Sequence, residues 1–449
     1  MPLKVLIIGA GVCGPAFATL LQRADPSHEI TIIERAPRMR ESGLQIDLRA
    51  QGIPIVRKMG LIDAIRQRAV PESGVALVDA RGRPFASFGK NDSGHGAQAF
   101  TSEYEIMRPD LVDVFYRASL GLSAEKDNSN NGGKTPQTWG VVSSGNGNVR
   151  YEFGVTVTNI SQHDADVVEV TFSDGRMAKY DVVVGADGQS SRTRRMILGG
   201  KEASDACFKP LDLFVAFYQI PRSPIDDSWM NWHLMTGRRA IVTRSADVEA
   251  PTQVYMTIRT SRKENAFGIC TAGSTTEQKE AFAQAYMDED AWRAKEFANA
   301  LREKTPDEKF YATEIGQVHC QKLVVGRVVL VGDAGYCPSP ITGMGTTLSL
   351  IGAYVLAGEL AKHGKDGVPD ALTAYAQTVR PFVNEAQTLI PGLPGMLYAK
   401  SKFGVWVLTT FFWLISKLRV VDLLMKFTPE PEKSGGLEIP EYPELGLTS

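Results

Sequence analysis

The chain has little of what builds a metal or disulfide framework: five cysteines and six histidines in 449 residues. Cys13, Cys207, Cys270, Cys320 and Cys337 lie far apart, their number is odd, and no CxxC or Cys/His ligand spacing occurs. They read as reduced thiols, and no metal is expected. Neither sign of charge dominates, since 49 basic residues face 51 acidic ones for a net charge of -2. That near-balance gives no bulk attraction for nucleic acid, so no nucleic-acid partner is expected. The chain contains no GxSxG, no HExxH and no P-loop, which removes the commonest signatures of serine hydrolases, zinc proteases and phosphate-loop enzymes. Long apolar runs are missing too. The run from Gly404 to Ile415 stops short of Lys417, well below the roughly 20 residues a spanning helix needs. It reads as a helix packed on the body or at a substrate entrance, with peripheral membrane contact or dimerisation through 404–427 as alternatives. The first residues lack an apolar stretch followed by a small-residue cleavage site, so a cytosolic protein is expected.

What is present is a globular composition, 43% hydrophobic with 42 glycines, and length enough for two or three domains. Val5 to Ile8 is a short apolar run that ends at glycine, as a central parallel strand does. A helix from Gly14 to Arg23 and a strand from Glu29 to Glu34 complete a βαβ unit. A hairpin is predicted from Val75 to Phe88, turning at Arg81–Pro84, and a helix from Arg108 to Ala118. Residues 119–150, with Lys126–Lys134 and Ser143–Asn148 small, polar and Gly-rich, read as a mobile surface excursion. Strand-like runs at Phe214–Ile220, Ala240–Thr243 and Gln253–Arg259 predict an antiparallel sheet. Thr276–Lys304 reads as mainly helical, and Gly345–Lys362 as a long helix.

Three glycine-marked turns carry the chemistry. The first is Gly9-Ala-Gly11-Val12-Cys13-Gly14, with Glu34 ending the next strand. Gly9 permits the tight turn, Gly11 lets a pyrophosphate approach the backbone, and Gly14 allows close helix packing. The free N–H groups of the following helix would receive the phosphates, and Glu34 followed by Arg35 would meet the ribose. An acid there disfavours a 2′-phosphate, leaving FAD or NAD. The second turn, Gly185-Ala-Asp187-Gly188, leads to Arg194. The third, Gly332-Asp333, runs on through Pro338, Pro340, Gly343, Met344 and Gly345.

In order and content the three turns resemble the GxGxxG, DG and GD motifs of the class A flavoprotein monooxygenases, the para-hydroxybenzoate hydroxylase superfamily, over about residues 5–385. Among subgroups the chain looks closest to secondary-metabolite and tetracycline-inactivating enzymes. The resemblance implies an α/β fold: a Rossmann-like FAD-binding domain (1–74, 100–195 and 305–385), an inserted antiparallel-sheet substrate domain (75–99 and 196–304), and a C-terminal helical segment (386–449). It implies that Gly9, Gly11, Gly14 and Glu34 hold the ADP half of FAD, that Asp333 meets the ribityl chain, and that Pro340, Gly343, Met344 and Gly345 run beside the isoalloxazine. Arg108 resembles the family arginine that contacts the cofactor, while Asp187 and Arg194 match the DG motif that serves FAD and the passing NADPH. Two departures stand out. The family's usual Asp-Ala-Ala-His reads Asp333-Ala-Gly-Tyr336 here, and its later Asn and Asp are replaced by Thr347 and Gly352.

The activity so implied is a FAD-dependent, NADPH- or NADH-using monooxygenation. A flavin C4a-hydroperoxide would pass one oxygen atom from O2 to an aromatic or polycyclic small molecule, with hydroxylation leading. The alternatives are a flavin oxidase or reductase, and a cyclase or isomerase using FAD as scaffold. Tyr218, His233, Arg239 and Tyr336 are the candidate pocket residues, the last three as candidate catalytic groups.

Overall fold

The computed structural model describes residues 1–40, 43–89, 103–125, 140–245, 247, 250–261, 273–287, 292–419 and 437–447. Two seven-stranded sheets organise a mixed α/β fold. In the first, Val328–Leu330, Val182–Gly185, Lys4–Ile8, Glu29–Glu34 and Val149–Phe153 lie side by side and parallel, in that order. Val324–Val325 and Val141–Ser143 add antiparallel edges. These strands show continuous apolar runs because both faces are covered. Val5, Ile7, Ile30 and Ile32 pack toward a helical layer, while Leu6, Ile8 and Ile33 pack toward a three-stranded meander of Val157–Ser161, Val168–Phe172 and Met177–Tyr180. The helical layer consists of Cys13–Ala24, Arg108–Ser119, Gly345–His363 and Val368–Ala386. Gly345–His363 is buried almost all round, from Thr347 to Leu360, which is why its sequence shows no polar face.

The second sheet runs in the order Tyr311–Val318, Phe208–Ile220, Thr252–Arg259, Arg239–Ser245, Trp229–Met235, Gly74–Val78, Pro84–Gly89. All its pairings are antiparallel except that of Gly74–Val78 with Trp229–Met235. Side chains alternate across it. Phe214, Tyr218, Ile241 and Met256 face helices Thr275–Met287 and Ala294–Glu303, where Phe282, Tyr286 and Phe297 are fully buried. Each such buried side chain contributes roughly 1.5–3 kcal/mol of hydrophobic stabilisation. Leu213, Val215, Leu234, Ala240 and Ile315 face the other way, against Tyr398, Ile341 and the C-terminal helix Lys402–Lys417. The Oγ of Ser416 anchors that helix, donating to the Ser87 carbonyl at 3.1 Å and accepting from the Ser87 N–H at 3.1 Å.

Two sequence expectations are corrected. The stretch 119–150 is not one surface excursion: Val141–Ser143 and Val149–Phe153 pair as a hairpin, its turn fixed by Asn146 Oδ1, which accepts from Ser144 Oγ at 2.5 Å. Tyr311–Val318, assigned from sequence to the nucleotide-binding region, hydrogen-bonds to Phe208–Ile220 in the second sheet. Trp229–Met235, to which no element was assigned from sequence, adds a further strand to the second sheet. Residues 90–99, Lys126–Lys134, Cys270 and 420–427, about which the sequence also raised expectations, lie outside the described residues. Cys13, Cys207, Cys320 and Cys337 are free thiols.

Candidate functional site

The first and third glycine turns converge on one cleft. Gly9 has φ +114°, and a Cβ on it would meet the Ala186 carbonyl oxygen at 2.5 Å. A Cβ on Gly14 would meet the Gly9 carbonyl oxygen at 2.1 Å, so the helix can start this close to the turn only with hydrogen there. Gly11 is different: its nearest neighbour is the Arg108 guanidinium, 3.7 Å from an ideal Cβ. Val12 at the N-cap of Cys13–Ala24 supplies no side-chain cap, and the first turn holds no acid. Its leading N–H groups therefore remain available to an anion. The Glu34 carboxylate accepts from the N–H groups of Ala10 at 3.2 Å and Ala36 at 2.9 Å, and Arg40 lies 3.8 Å away. Arg35, expected beside it, is exposed.

At the third turn, a Cβ on Gly332 would meet Ser349 Oγ at 3.0 Å and Cys13 Cβ at 3.5 Å. Asp333 is half-buried there. Burial raises its carboxyl above the ordinary carboxylate range, and the nearby Arg108 guanidinium opposes that rise. Arg108, exposed at the start of Arg108–Ser119, thus faces both the Gly11 turn and Asp333. Burial and Asp333 together push the Cys13 thiol far above its ordinary value, so it stays protonated and unreactive. Downstream, Pro340–Thr342 forms a short 3₁₀ turn, and Met344 leads into Gly345–His363 without a side-chain cap or an acid in the first turn. Nothing lies within 4 Å of a Cβ built on Gly345. A cavity of about 360 Å³ opens beside this loop, bordered by Ile341, Thr342, Met344 and Leu348. A second uncapped helix start, an open approach and a facing arginine suit a cofactor with phosphates at one end and a delocalised anion at the other. The residues present fit FAD.

The second turn braces the others. Asp187 accepts from the N–H groups of Arg192 at 2.8 Å and Thr193 at 3.0 Å, and from the hydroxyls of Ser191 at 2.5 Å and Thr193 at 3.0 Å. Arg194 is buried, donating to Ser204 Oγ at 3.0 Å and to the carbonyls of Ala334 and Gln189 at 2.8 Å each. Both therefore tie this turn to its own helix and to the Asp333 turn, a structural role beside any contact with cofactor.

The four pocket candidates are not brought together, and none faces the cleft. Tyr336 is fully buried, its hydroxyl 3.0 Å from that of Tyr375, which donates to the Leu330 carbonyl. A Cβ on Gly352 would lie 1.9 Å from the Tyr336 hydroxyl. Tyr336 thus fills the space over Gly352. Tyr218, His233 and Arg239 point to the helical side of the second sheet. The Tyr218 hydroxyl donates to the Phe297 carbonyl at 2.9 Å. His233 Nδ1 lies 3.0 Å from the Val78 carbonyl oxygen, and its ring packs 5.7 Å from that of Trp292. Arg239 donates to the Ala285 carbonyl and lies over the Tyr286 ring. The error is one of strand parity, which a single sequence does not fix when polar and apolar residues do not alternate cleanly along the strands.

The face opposite carries what the sequence reading missed. Trp232 packs at 6.3 Å from Phe412 of the C-terminal helix, and Phe217 lies edge-on to Tyr255 at 5.0 Å. Beside them is a buried polar cluster. Arg244 donates to both oxygens of Glu72, at 2.7 and 2.6 Å, and lies 3.1 Å from Glu105. Gln45 Nε2 donates to Glu72 at 3.2 Å and to Glu105 at 3.0 Å, while Gln45 Oε1 has no partner among the described residues. Burial raises the Glu105 carboxyl to about 7, with Arg244 opposing and Asp47 and Glu72 adding to the rise. Gln45 and Asp47 pair antiparallel with Met107 and Glu105, and Asp47 bonds Arg49, whose guanidinium is the nearest neighbour of a Cβ on Gly343, at 3.9 Å. The signal was the period of Gln45-Ile-Asp-Leu-Arg49, polar residues alternating with Ile46 and the fully buried Leu48.

A family model described as FAD binding domain matches residues 2–389. The chain is 40% identical over 448 residues to the FAD-dependent monooxygenase asL6 of Sarocladium schorii, covering 99% of each chain. It is 33% identical to the flavin-dependent monooxygenase eupH of a Phoma species, again over 99% of both. Among solved structures, the tetracycline destructase Tet(51) superposes with a TM-score of 0.71 at 25% identity, over 98% of this chain and 100% of that one.

Proposed function

Since the chain belongs to the FAD-binding-domain family of flavin monooxygenases, we propose that it uses NADPH or NADH to drive hydroxylation of an aromatic or polycyclic small molecule in secondary metabolism. The observation that carries this reading is the meeting of the Gly11 turn, Arg108 and Asp333 at one cleft whose two helix starts are uncapped.

Bound flavin supplies the electron transfer and the activation of O2, and the protein positions and shields it. Gly11, Val12, Cys13 and Gly14 would give backbone N–H groups and room to the pyrophosphate at the turn that Gly9 permits, and Arg108 would neutralise its charge. Glu34, already held by two backbone N–H groups, is oriented to accept from ribose hydroxyls. Asp333 would accept from the ribityl chain. The N–H groups opening Gly345–His363, which have no side-chain cap, would stabilise the negative charge that the ring gains on reduction, with Gly343 and Met344 shaping the loop before them. Asp187, Arg194 and Gly332 keep the three turns in register. The substrate lies between this loop and the face of the second sheet that bears Trp232, Tyr255 and Phe217, an apolar and aromatic wall suited to flat rings. Tyr311–Val318 is counted with that sheet, as are the helices Thr275–Met287 and Ala294–Glu303 packed on it, and the other strands and helices to about residue 385 form the Rossmann-like unit.

The test is the visible spectrum of the purified protein as NADPH is added without oxygen, then with air admitted, with candidate substrates present. Flavin bands that bleach and return on aeration, with oxygen found in the product, support the reading. Turnover without NAD(P)H consumption would replace it with a non-redox role for FAD. A protein that neither carries nor takes up FAD would overturn it.

A further inference from the structure

We propose that the outward face of the C-terminal helix is a docking surface for a lipid bilayer with anionic headgroups. The helix Lys402–Lys417 has two unlike sides. At about 100° per residue, Val405, Leu408, Phe412 and Ile415 share the side packed on the second sheet, with Ser416 holding it at Ser87. On the opposite side Phe403, Trp406, Phe411, Trp413, Leu414 and Leu418 are exposed, Phe403 by 72% and Trp406 by 60%. One apolar face therefore satisfies the core, and a second remains in water. A monomeric soluble surface rarely keeps such a contiguous patch without a partner.

Charge and residue type identify the partner. No Asp or Glu occurs between Glu385 and Asp422, while Lys400, Lys402, Lys417 and Arg419 fall in that interval, all exposed at the two ends of the helix. A protein near neutrality overall thus concentrates positive charge around this exposed apolar face. Trp at the flanks of an apolar stripe, with lysines reaching past it, matches the headgroup region, where an indole is buried on one side and wet on the other. No helix among the described residues is long and apolar enough to cross a membrane. At roughly 24 Å long, with lysine at both ends, this one suits lying in the interface with its apolar face among the upper acyl chains. A second copy of this chain would bring the same four cations face to face and is disfavoured on that ground.

The experiment is flotation of the full-length, flavin-loaded protein with vesicles of phosphatidylcholine alone or of phosphatidylcholine with phosphatidylserine. Binding should be at least about tenfold stronger to the anionic vesicles and should weaken as salt is raised. The double variant Trp406→Ser, Phe411→Ser should lose binding while keeping its flavin spectrum, because both side chains are exposed and neither is among those packed on the second sheet. Lys402→Glu with Lys417→Glu should remove the preference for anionic vesicles. Failure of the wild type to float with either vesicle would overturn the proposal. So would a dimer in gel filtration that the Trp406→Ser, Phe411→Ser variant converts to monomer, which would assign the face to a second copy. None of these readouts depends on turnover.

Discussion

The nucleotide cleft and the polar cluster of the second sheet handle charge in opposite ways. In the cleft, donors are left open: two helix starts without caps, and Arg108 exposed above Gly11. In the cluster, one guanidinium is enclosed by two carboxylates and an amide, with little opening to water. The first arrangement is incomplete until an anion arrives. The second is nearly complete in itself and serves as a rigid floor. This contrast says where substitutions should act through cofactor binding and where through folding.

The largest effect is expected where the cleft has no spare room. In Gly14→Ala the added methyl would meet a backbone oxygen, which no rotamer change can relieve. The variant should purify without flavin or bind it at least about a hundredfold more weakly, some 3 kcal/mol, as read by the ratio of flavin absorbance to protein. A normal ratio would remove the close packing of turn and helix as the reason for glycine there.

Next comes the floor. Arg244→Met would strand Glu72 and Glu105 in the interior, and unpairing buried charges costs about 3–5 kcal/mol. Denaturant unfolding at pH 8 should show that loss, and at pH 5 a smaller one, because Glu105, whose carboxyl burial raises to about 7, then holds a proton. Equal losses at the two pH values would mean that charge is not what the cluster contributes.

Glu105 sharpens the same point with a pH signature. Its carboxyl is raised from 4.5 to about 7 in the fold, so between those values the native protein holds a proton that the unfolded chain has released. Stability from this group is therefore fully present below about pH 4.5, falls as pH rises toward 7, and is level beyond. Glu105→Gln should flatten that slope by on the order of one to a few kcal/mol, seen in the melting midpoint from pH 5 to 8. An unchanged slope would place the titration elsewhere.

What was legible in the sequence follows the same division. Gly9, Gly14, Glu34 and Gly332 act through the backbone or through short fixed reach, so residue type and spacing already constrain their place. The parallel strands read correctly because two-sided burial leaves continuous Val, Leu and Ile runs. Side-chain direction in the second sheet did not read. Residues 239–245 mix polar and apolar side chains on both faces, and 229–235 set Asn231 and His233 between Trp229 and Met235 on one face, so no clean alternation marked which face met the cleft, and His233 and Arg239 were assigned to it in error. The Glu72–Glu105–Arg244 cluster joins Arg244 to two carboxylates more than 100 residues earlier in the chain, and no local pattern announces such a meeting. Tyr336 was misplaced because its partner change, Gly352, acts only through packing.

The smallest predicted effects separate the two faces of that sheet. Tyr218→Phe removes a hydroxyl that donates to the Phe297 carbonyl on the helical side. It should cost about 1 kcal/mol of stability, while flavin content and the rate of reduction by NADPH stay within error. His233→Ala should behave alike, with a somewhat larger loss because the ring packed on Trp292 is also removed. Trp232→Ala lies one residue away but on the opposite face, beside Phe412, and its buried indole N–H has no partner among the described residues. That variant should raise the KM for an aromatic substrate several-fold without changing flavin reduction in its absence. A His233 variant that altered KM while Trp232→Ala did not would reverse the facing of the strand and move the substrate to the helical side.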